Sequence, residues 1–495
     1  MSSEPIVTTK HGDVRGRVSD AGVYTFKGIP YAAAPVGPNR FRPPQPPEPW
    51  PAPRDAAEYG PIAPQASVDG DGPLADLAPR SVVHGDDYLN LNVWTPGLDE
   101  RLPVLVFIHG GSFTSGSGSI PGYDGTRFAR DGVVLVTVNY RLGADGFLWF
   151  GDGIPNLGLL DQIAALTWVR DNISGFGGDP GNVTVFGESA GAMSVCSLLA
   201  MPAAEGLFHR VIAESGAGHS TISPATARLI GTRLAAVLGV EPTRAAIADV
   251  PMPQLIAAQT QLAQEITAKP KTKLWGEVAR NLMPFEPIVD GDLLPAPPIE
   301  RIAAGAGAQV DVLIGTNREE ARLFLVPTGA AAKITGPVVH AAAARYGLPA
   351  FRGAGRYRAN RPGATPGDLL SAIATDWYYW IPALRLAEAH PGTHVYEFAW
   401  RSPAFDHALG ACHALELPFV FDNLDDPAFK PFVGENPPQQ VADAMHKAWI
   451  DFATNGDPGW PAYTPQHRIA MRFDTESAST VDDRADERAL WNGRR

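Results

Sequence analysis

A serine set among small residues, Gly187-Glu188-Ser189-Ala190-Gly191, is where this chain first offers chemistry. A serine hydroxyl is a weak nucleophile. It gains access when a sharp strand-to-helix turn lifts it clear of a sheet, a conformation that only tiny neighbours permit. The flanks fit that turn. Val183-Thr-Val-Phe186 is a short β-branched run, and Ala190–Leu199 is a helix of small residues. Without such flanks the pattern would describe only a tight turn with a surface serine.

A serine nucleophile needs an oxyanion site, a base and an acid. Ile108-His109-Gly110-Gly111-Ser112-Phe113 closes another apolar run. A glycine-rich turn there can aim free backbone N–H groups at a developing oxyanion. With a strand–serine–helix turn the chain order is serine, acid, histidine. Of twelve histidines, His209, His219, His340, His390, His394, His407, His413, His446 and His467 lie downstream. His413 sits among small and apolar residues in Gly410–Phe419, and His407 in the more polar Phe405-Asp406-His407. The residues alone leave both open. For the acid, Asp311–Glu320 reads as a strand and then a loop carrying Glu319 and Glu320. By itself that is a solvated acidic turn balanced by Arg318 and Arg322.

These groups must be positioned by regular elements. Pro103–Ile108 and Val133–Val138 are continuous apolar runs, as expected of strands buried on both faces. Val183–Phe186, Val211–Ala213 and Val310–Ile314 are further strands. Gly158–Ile173 carries apolar residues at helical spacing. Strands alternating with helices predict an α/β fold with a mostly parallel sheet, its reactive loops at the carboxyl ends of the strands. The Pro-rich stretch from Pro35 to Pro53 is punctuated by Val36, Phe41 and Trp50, so it reads as an ordered loop pinned to the surface. Pro327–Pro366, rich in Ala, Gly and Pro, reads as a loose segment. The chain after Asp482 reads as a charged, solvated, fraying tail.

Composition narrows the class. The 495 residues are 45% hydrophobic and 19% charged, which suits one large core rather than beads on a string. Two cysteines, Cys196 and Cys412, exclude a disulfide framework, and no Cys/His spacing suits zinc. The net charge of −13 speaks against nucleic acid and anionic membrane as partners. It favours, weakly, an uncharged or cationic substrate. Met1–Lys10 shows no signal-peptide pattern, and no apolar run approaches the ~18 residues that span a membrane. A soluble cytoplasmic protein is expected.

Many spaced motifs together resemble one family. They begin with Phe26-Lys-Gly-Ile-Pro-Tyr31, Pro35-Val-Gly37, Arg40-Phe-Arg-Pro-Pro44 and Leu91-Asn-Val-Trp-Thr-Pro96. His109-Gly-Gly-Ser-Phe113, Asn139-Tyr-Arg-Leu-Gly143, Gly158-Leu-Leu-Asp-Gln162, Phe176-Gly-Gly-Asp-Pro180 and Phe186–Gly191 follow. Pro287-Ile-Val-Asp-Gly291, Gly410-Ala-Cys-His413 and Trp449-Ile-Asp-Phe-Ala453 complete the series. The chain resembles the type-B carboxylesterase/lipase group of α/β hydrolases, which includes the cholinesterases, and most of all its actinomycete carboxylesterases.

That resemblance implies an α/β-hydrolase fold over residues 1–495, a single domain with helical insertions and an active site in a gorge. It makes Ser189 the nucleophile, Glu320 the acid and His413 the base. The oxyanion hole would be the N–H groups of Gly111, Ser112 and Ala190. The implied activity is carboxylic ester hydrolysis through an acyl-enzyme, on a small-molecule ester with a short to medium acyl group or a bulky aromatic part, with no metal or organic cofactor; a monomer is the default expectation. The same triad also suits carbamates and aryl amides, and the family contains non-catalytic binding modules that lack the nucleophile. An ordinary histidine base predicts an activity ionisation around 6–7.

Three departures stand out. Ser112 replaces the third glycine of the family's His-Gly-Gly-Gly run, where only a backbone N–H is needed. Asp86-Asp87-Tyr88 replaces Glu-Asp-Cys, which removes the family's first disulfide. Ala321 replaces a glycine after the acid. The absence of a tryptophan just upstream of Asp86 argues against a quaternary ammonium substrate. Trp149, Phe150, Trp275, Phe324 and Trp377-Tyr378-Tyr379-Trp380 are candidates for a wide aromatic gorge or, more simply, for core.

Overall fold

The computed structural model of the chain describes residues 4–66 and 82–495. The first three residues of the N-terminal stretch considered above, and part of the segment upstream of Asp86, lie outside this range. Among the described residues eleven strands form the main sheet. In chain order they are β1 (Arg17–Val18), β2 (Tyr24–Pro30), β3 (Asn90–Thr95), β4 (Leu102–Ile108), β5 (Val134–Val138) and β6 (Gly178–Glu188). They continue as β7 (Arg210–Glu214), β8 (Asp311–Asn317), β9 (His394–Phe398), β10 (Ile469–Phe473) and β11 (Ala478–Val481). Their spatial order is β11-β10-β9-β8-β7-β6-β4-β5-β3-β2-β1. From β10 through β5 every neighbouring pair is parallel, and the flanking pairs are antiparallel. The mostly parallel sheet read from the sequence is therefore present.

The period of two along each strand divides the core. In β4, Val104, Val106 and Ile108 face one side of the sheet, while Leu105 and Phe107 face the other. The first side packs against helix α1 (Leu157–Asn172), through Leu159, Ala165, Leu166 and Val169, and against α2 (Ala190–Ala200). Asn139–Gly143 and Gly158–Gln162 meet here. Arg141 and Asp161, both fully buried, pair at 2.6 Å. The Tyr88 hydroxyl, where the family has a cysteine, donates to Asp145 at 2.8 Å.

Beyond β8 the chain builds the short α3 (Arg322–Leu325), then α4 (Gly336–Arg345), α5 (Ala350–Ala359) and α6 (Pro366–Thr375). A π-helical turn, Asp376–Trp380, leads from α6 into α7 (Ile381–Ala389). The long α8 (Gln439–Asn455) covers the second face of the sheet with Val441, Met445, Trp449 and Phe452. The segment read as loose, Pro327–Pro366, thus contains two helices. Val339, Ala343, Ala354 and Tyr357 supply them with a small core of their own.

The tail is also corrected. After Asp482 it forms α9 (Ala485–Leu490), and Arg484, Glu487 and Trp491 are buried. Its charges mislead because they are paired inside: Arg361 grips both Glu487 oxygens. The Pro-rich loop is pinned as expected, by buried Phe41 and by the Trp50 indole donating to Asp13 O at 2.6 Å.

Candidate active site

Ser189 stands between β6 and α2 with φ 57° and ψ −121°. Such a backbone is strained for any residue with a Cβ. The surrounding glycines explain how it is tolerated. A Cβ on Gly191 would lie 1.9 Å from Ile108 O, and one on Gly187 would lie 2.6 Å from the same atom. The turn therefore presses directly on the end of β4. Ser189 N–H is tied to Glu214 O on β7 at 2.8 Å.

The end of β4 brings the glycine loop to the serine. A Cβ on Gly110 would sit 3.0 Å from Ser189 Cβ. Gly111 (φ 112°), Ser112 (φ 55°) and Phe113 (φ 60°) all hold positive φ. The N–H groups of Gly111 and Ser112 have no hydrogen-bond partner among the described residues. Ala190 opens α2, so its N–H has no acceptor within the helix. His109 braces the loop. Its Nδ1 donates to Gly110 O at 2.8 Å and its ring stacks on Tyr140. Burial pushes its pKa down to about 4, against a small opposing effect of the Gly110 carbonyl. It is neutral, a structural imidazole.

His413 and Glu320 come together from loops after β9 and β8. Nδ1 donates to Glu320 Oε2 at 2.7 Å, and both residues are buried. The other Glu320 oxygen accepts Asn317 N–H at 2.8 Å. The two loops are zipped by Glu319 N–H to Ala411 O and His413 N–H to Glu320 O. Ala321, in place of glycine, adopts an ordinary helical backbone, and its N–H donates to Thr375 Oγ1 at 3.1 Å. His407, on the same connection after β9, is exposed, which removes the rival base.

His413 Nε2 faces Glu188 Oε1 at 3.0 Å. No hydrogen bond joins it to Ser189 Oγ among the described residues. In sites of this kind such bonds often tighten only when substrate is bound. Two acceptors this close need a proton between them. Burial opposes the histidine's charge, yet Glu188 and Glu320 outweigh it and raise its pKa to about 9. Glu188 is pushed up to about 7, chiefly by burial. These neighbours favour an ionisation above the 6–7 expected of an ordinary histidine.

The sequence reading missed this cluster of acids. Glu416 is fully buried, bonded by Asn317 Nδ2, and raised to about 8 by burial and by its neighbours Glu188 and Glu320. Glu214 accepts from the Trp449 indole at 2.7 Å. A carboxylate inside an apolar run, as in Ala414-Leu415-Glu416-Leu417, was the available signal. Of the aromatic candidates, Trp275, Trp377 and Tyr379 are buried, whereas Phe324 is 46% exposed. Phe324 and Tyr379 flank the His413 ring, centroids 5.3 and 4.9 Å away.

Residues 3–491 match the model of the carboxylesterase family. The chain belongs to that family. It is 40% identical to the para-nitrobenzyl esterase of Bacillus subtilis, over 98% of this chain and 97% of that protein. It is 36% identical to the phenmedipham hydrolase of Pseudarthrobacter oxydans, over 98% of both chains. A crystal structure of the Geobacillus stearothermophilus carboxylesterase superposes with a TM-score of 0.85 at 38% identity, covering 98% of this chain and 99% of the other. The α/β-hydrolase fold and the resemblance to the carboxylesterase family both hold. The enzyme is a carboxylic ester hydrolase. Among the described residues no helix is long and apolar enough to cross a membrane.

Proposed function

We propose that this carboxylesterase hydrolyses esters with bulky aromatic parts through an acyl-enzyme on Ser189. His413 is the base, Glu320 its orienting acid, and the N–H groups of Gly111, Ser112 and Ala190 the oxyanion donors. One observation carries the assignment: the buried His413–Glu320 pair at 2.7 Å, whose other ring nitrogen, Nε2, faces the residue just before a strained serine.

Neutral His413 Nε2 takes the Ser189 proton as Oγ adds to the ester carbonyl. Glu320 keeps the Nδ1–H tautomer and offsets the imidazolium charge. The backbone donors receive the oxyanion, each worth about 3 kcal/mol of barrier. His413 then protonates the departing alcohol. Water enters, loses its proton to His413, and releases the acid. Each step needs only these side chains and water, so no cofactor is assigned.

The named relatives support aromatic substrates, as does the half-exposed Phe324 against His413. The test is a panel of p-nitrophenyl esters of increasing acyl length together with benzyl esters and a matched aryl carbamate. The expected order places the aromatic esters first. Equal turnover of the aryl ester and its carbamate would overturn the ester preference.

The same reading takes residues 1–495 as one domain with helical insertions, working as a cytoplasmic monomer. Two buried free cysteines and a net charge of −13 support it. Sedimentation and cell fractionation test it, and a dimer or a membrane-bound pool would count against it.

A further inference from the structure

The catalytic histidine is held on one side by a π-helical turn, and that turn is held by the C-terminal arm. Tyr379 on the turn packs against the His413 ring at 4.9 Å. Thr375, immediately before the turn, accepts the Ala321 N–H next to Glu320. One short segment therefore supports both the base and the loop of its acid. A π turn has one residue too many for regular helical bonding, so neighbours must hold it.

The neighbour that does so is Arg484. It is 7% exposed. Its Nη1 donates to Asp376 Oδ1 at 3.2 Å, and Asp376 opens the turn. Its guanidinium lies 3.8 Å from the centre of the Trp380 ring, and Trp380 closes the turn. Its Nη2 donates to Glu397 Oε1 on β9 at 2.7 Å. One side chain thus grips both ends of the π turn and anchors them to the sheet. Asp376 also accepts from the Tyr357 hydroxyl, which in turn receives the Trp491 indole at 2.9 Å. Between the arm and the acid loop opens a cleft of about 710 Å³, lined by Arg318, Glu319, Arg322, Arg361 and Arg484. The arm's hold on the acid loop passes through the π turn and through Arg318, which faces Asp483 at 3.6 Å across this cleft.

We propose that Arg484 is a positioning residue for ester hydrolysis, setting the π turn that holds His413 through Tyr379 and the Glu320 loop through Thr375. The proposal rests on His413 as the base. Arginine suits the task because its planar fork bonds two carboxylates while its face stacks on an indole; lysine can do only part of this.

The test compares variants of the full-length chain by kcat, KM, pH profile and melting temperature. Arg484→Gln lowers kcat about 10-fold or more, with KM within about twofold, as misplacement of a catalytic group does. The groups facing His413 are Glu188, Glu320 and Glu416, which raise its ionisation, with Phe324 and Tyr379 against its ring. Loosening Tyr379 admits water, which relieves the burial that opposes the imidazolium and screens the carboxylates that favour it, so the activity ionisation moves away from its parental value. Arg484→Lys recovers part of kcat. Arg488→Gln breaks the Arg488–Asp482 pair within the same arm, at 2.7 Å, away from the turn. It lowers the melting temperature and leaves kcat and the pH profile as they were.

If Arg484→Gln does not accumulate, Trp380→Leu reads the same step by removing the stacking face. The proposal falls if both arm variants lose kcat in proportion to stability, or if the Arg484 and Trp380 variants keep the parental kcat and ionisation. His413→Ala separates the two levels. If it stays active, the base assignment itself fails. If it is dead while Arg484→Gln behaves like Arg488→Gln, only the positioning role fails.

Discussion

Glu320 and Glu319 are chain neighbours whose carboxylates point to opposite sides of their loop. Glu320 reaches His413 Nδ1, while Glu319 turns outward to Arg322 at 2.8 Å and Arg401 at 2.7 Å. Glutamine at 320 keeps the shape but can hold the imidazole in the wrong tautomer. Glu320→Gln is expected to lower kcat by roughly 10²–10⁴. Glu319→Gln loosens ion pairs behind the site and is expected to cost about tenfold or less. Measuring kcat for both on one activated ester checks this, and a larger loss at 319 would move the acid by one residue. Glu188 supports a second prediction. Only neutral His413 can accept the serine proton, and Glu188 and Glu320 raise its pKa. Activity should therefore rise with pH through an ionisation above the ordinary histidine value of about 6.5. Removing the charge with Glu188→Gln should shift that ionisation down, as read from kcat/KM against pH. An unshifted profile would show that Glu188 does not govern the base.

At the scale of elements, the junction of β6 and α2 is the most constrained point of the site. Because a Cβ on Gly191 would come within 1.9 Å of a β4 carbonyl, Gly191→Ala must push the turn off the strand. Overpacking of this kind costs about 1–3 kcal/mol and occasionally more. A lowered melting temperature together with a large loss of kcat is expected, and an unaffected kcat would show that the turn is not pinned there. This junction was legible in the sequence because strand, small-residue turn and helix are local and contiguous. The short apolar strands were legible for the same reason. The two helices within Pro327–Pro366 were not, since their alanines, glycines and prolines carry weak local preference and their stability comes from a small core completed by Trp491.

Across the whole molecule, long-range pairing decides what local pattern cannot. The arm after Asp482 reads as a fraying charged tail until partners 87 to 134 residues earlier in the chain bring Arg484, Glu487 and Trp491 inside. The buried acids around His413 escaped notice for the same reason: Glu188, Glu214 and Glu416 approach one another only once the sheet is assembled. Arg141 and Asp161 join two motifs with no exposure at either side chain. Asp161→Asn leaves a buried guanidinium half paired and should cost about 3–5 kcal/mol. Denaturant unfolding measures it, and a loss under about 1 kcal/mol would place the pair among weak surface bridges.

The central claim, an acyl-enzyme formed on Ser189, is tested most directly by kcat of Ser189→Ala on a p-nitrophenyl ester, with circular dichroism as the check on folding. Only a hydroxyl is lost, so the fold should persist. Turnover should fall by about 10⁴-fold or more. A folded variant with kcat within tenfold of the parent, free of contaminating esterase, would contradict the assignment.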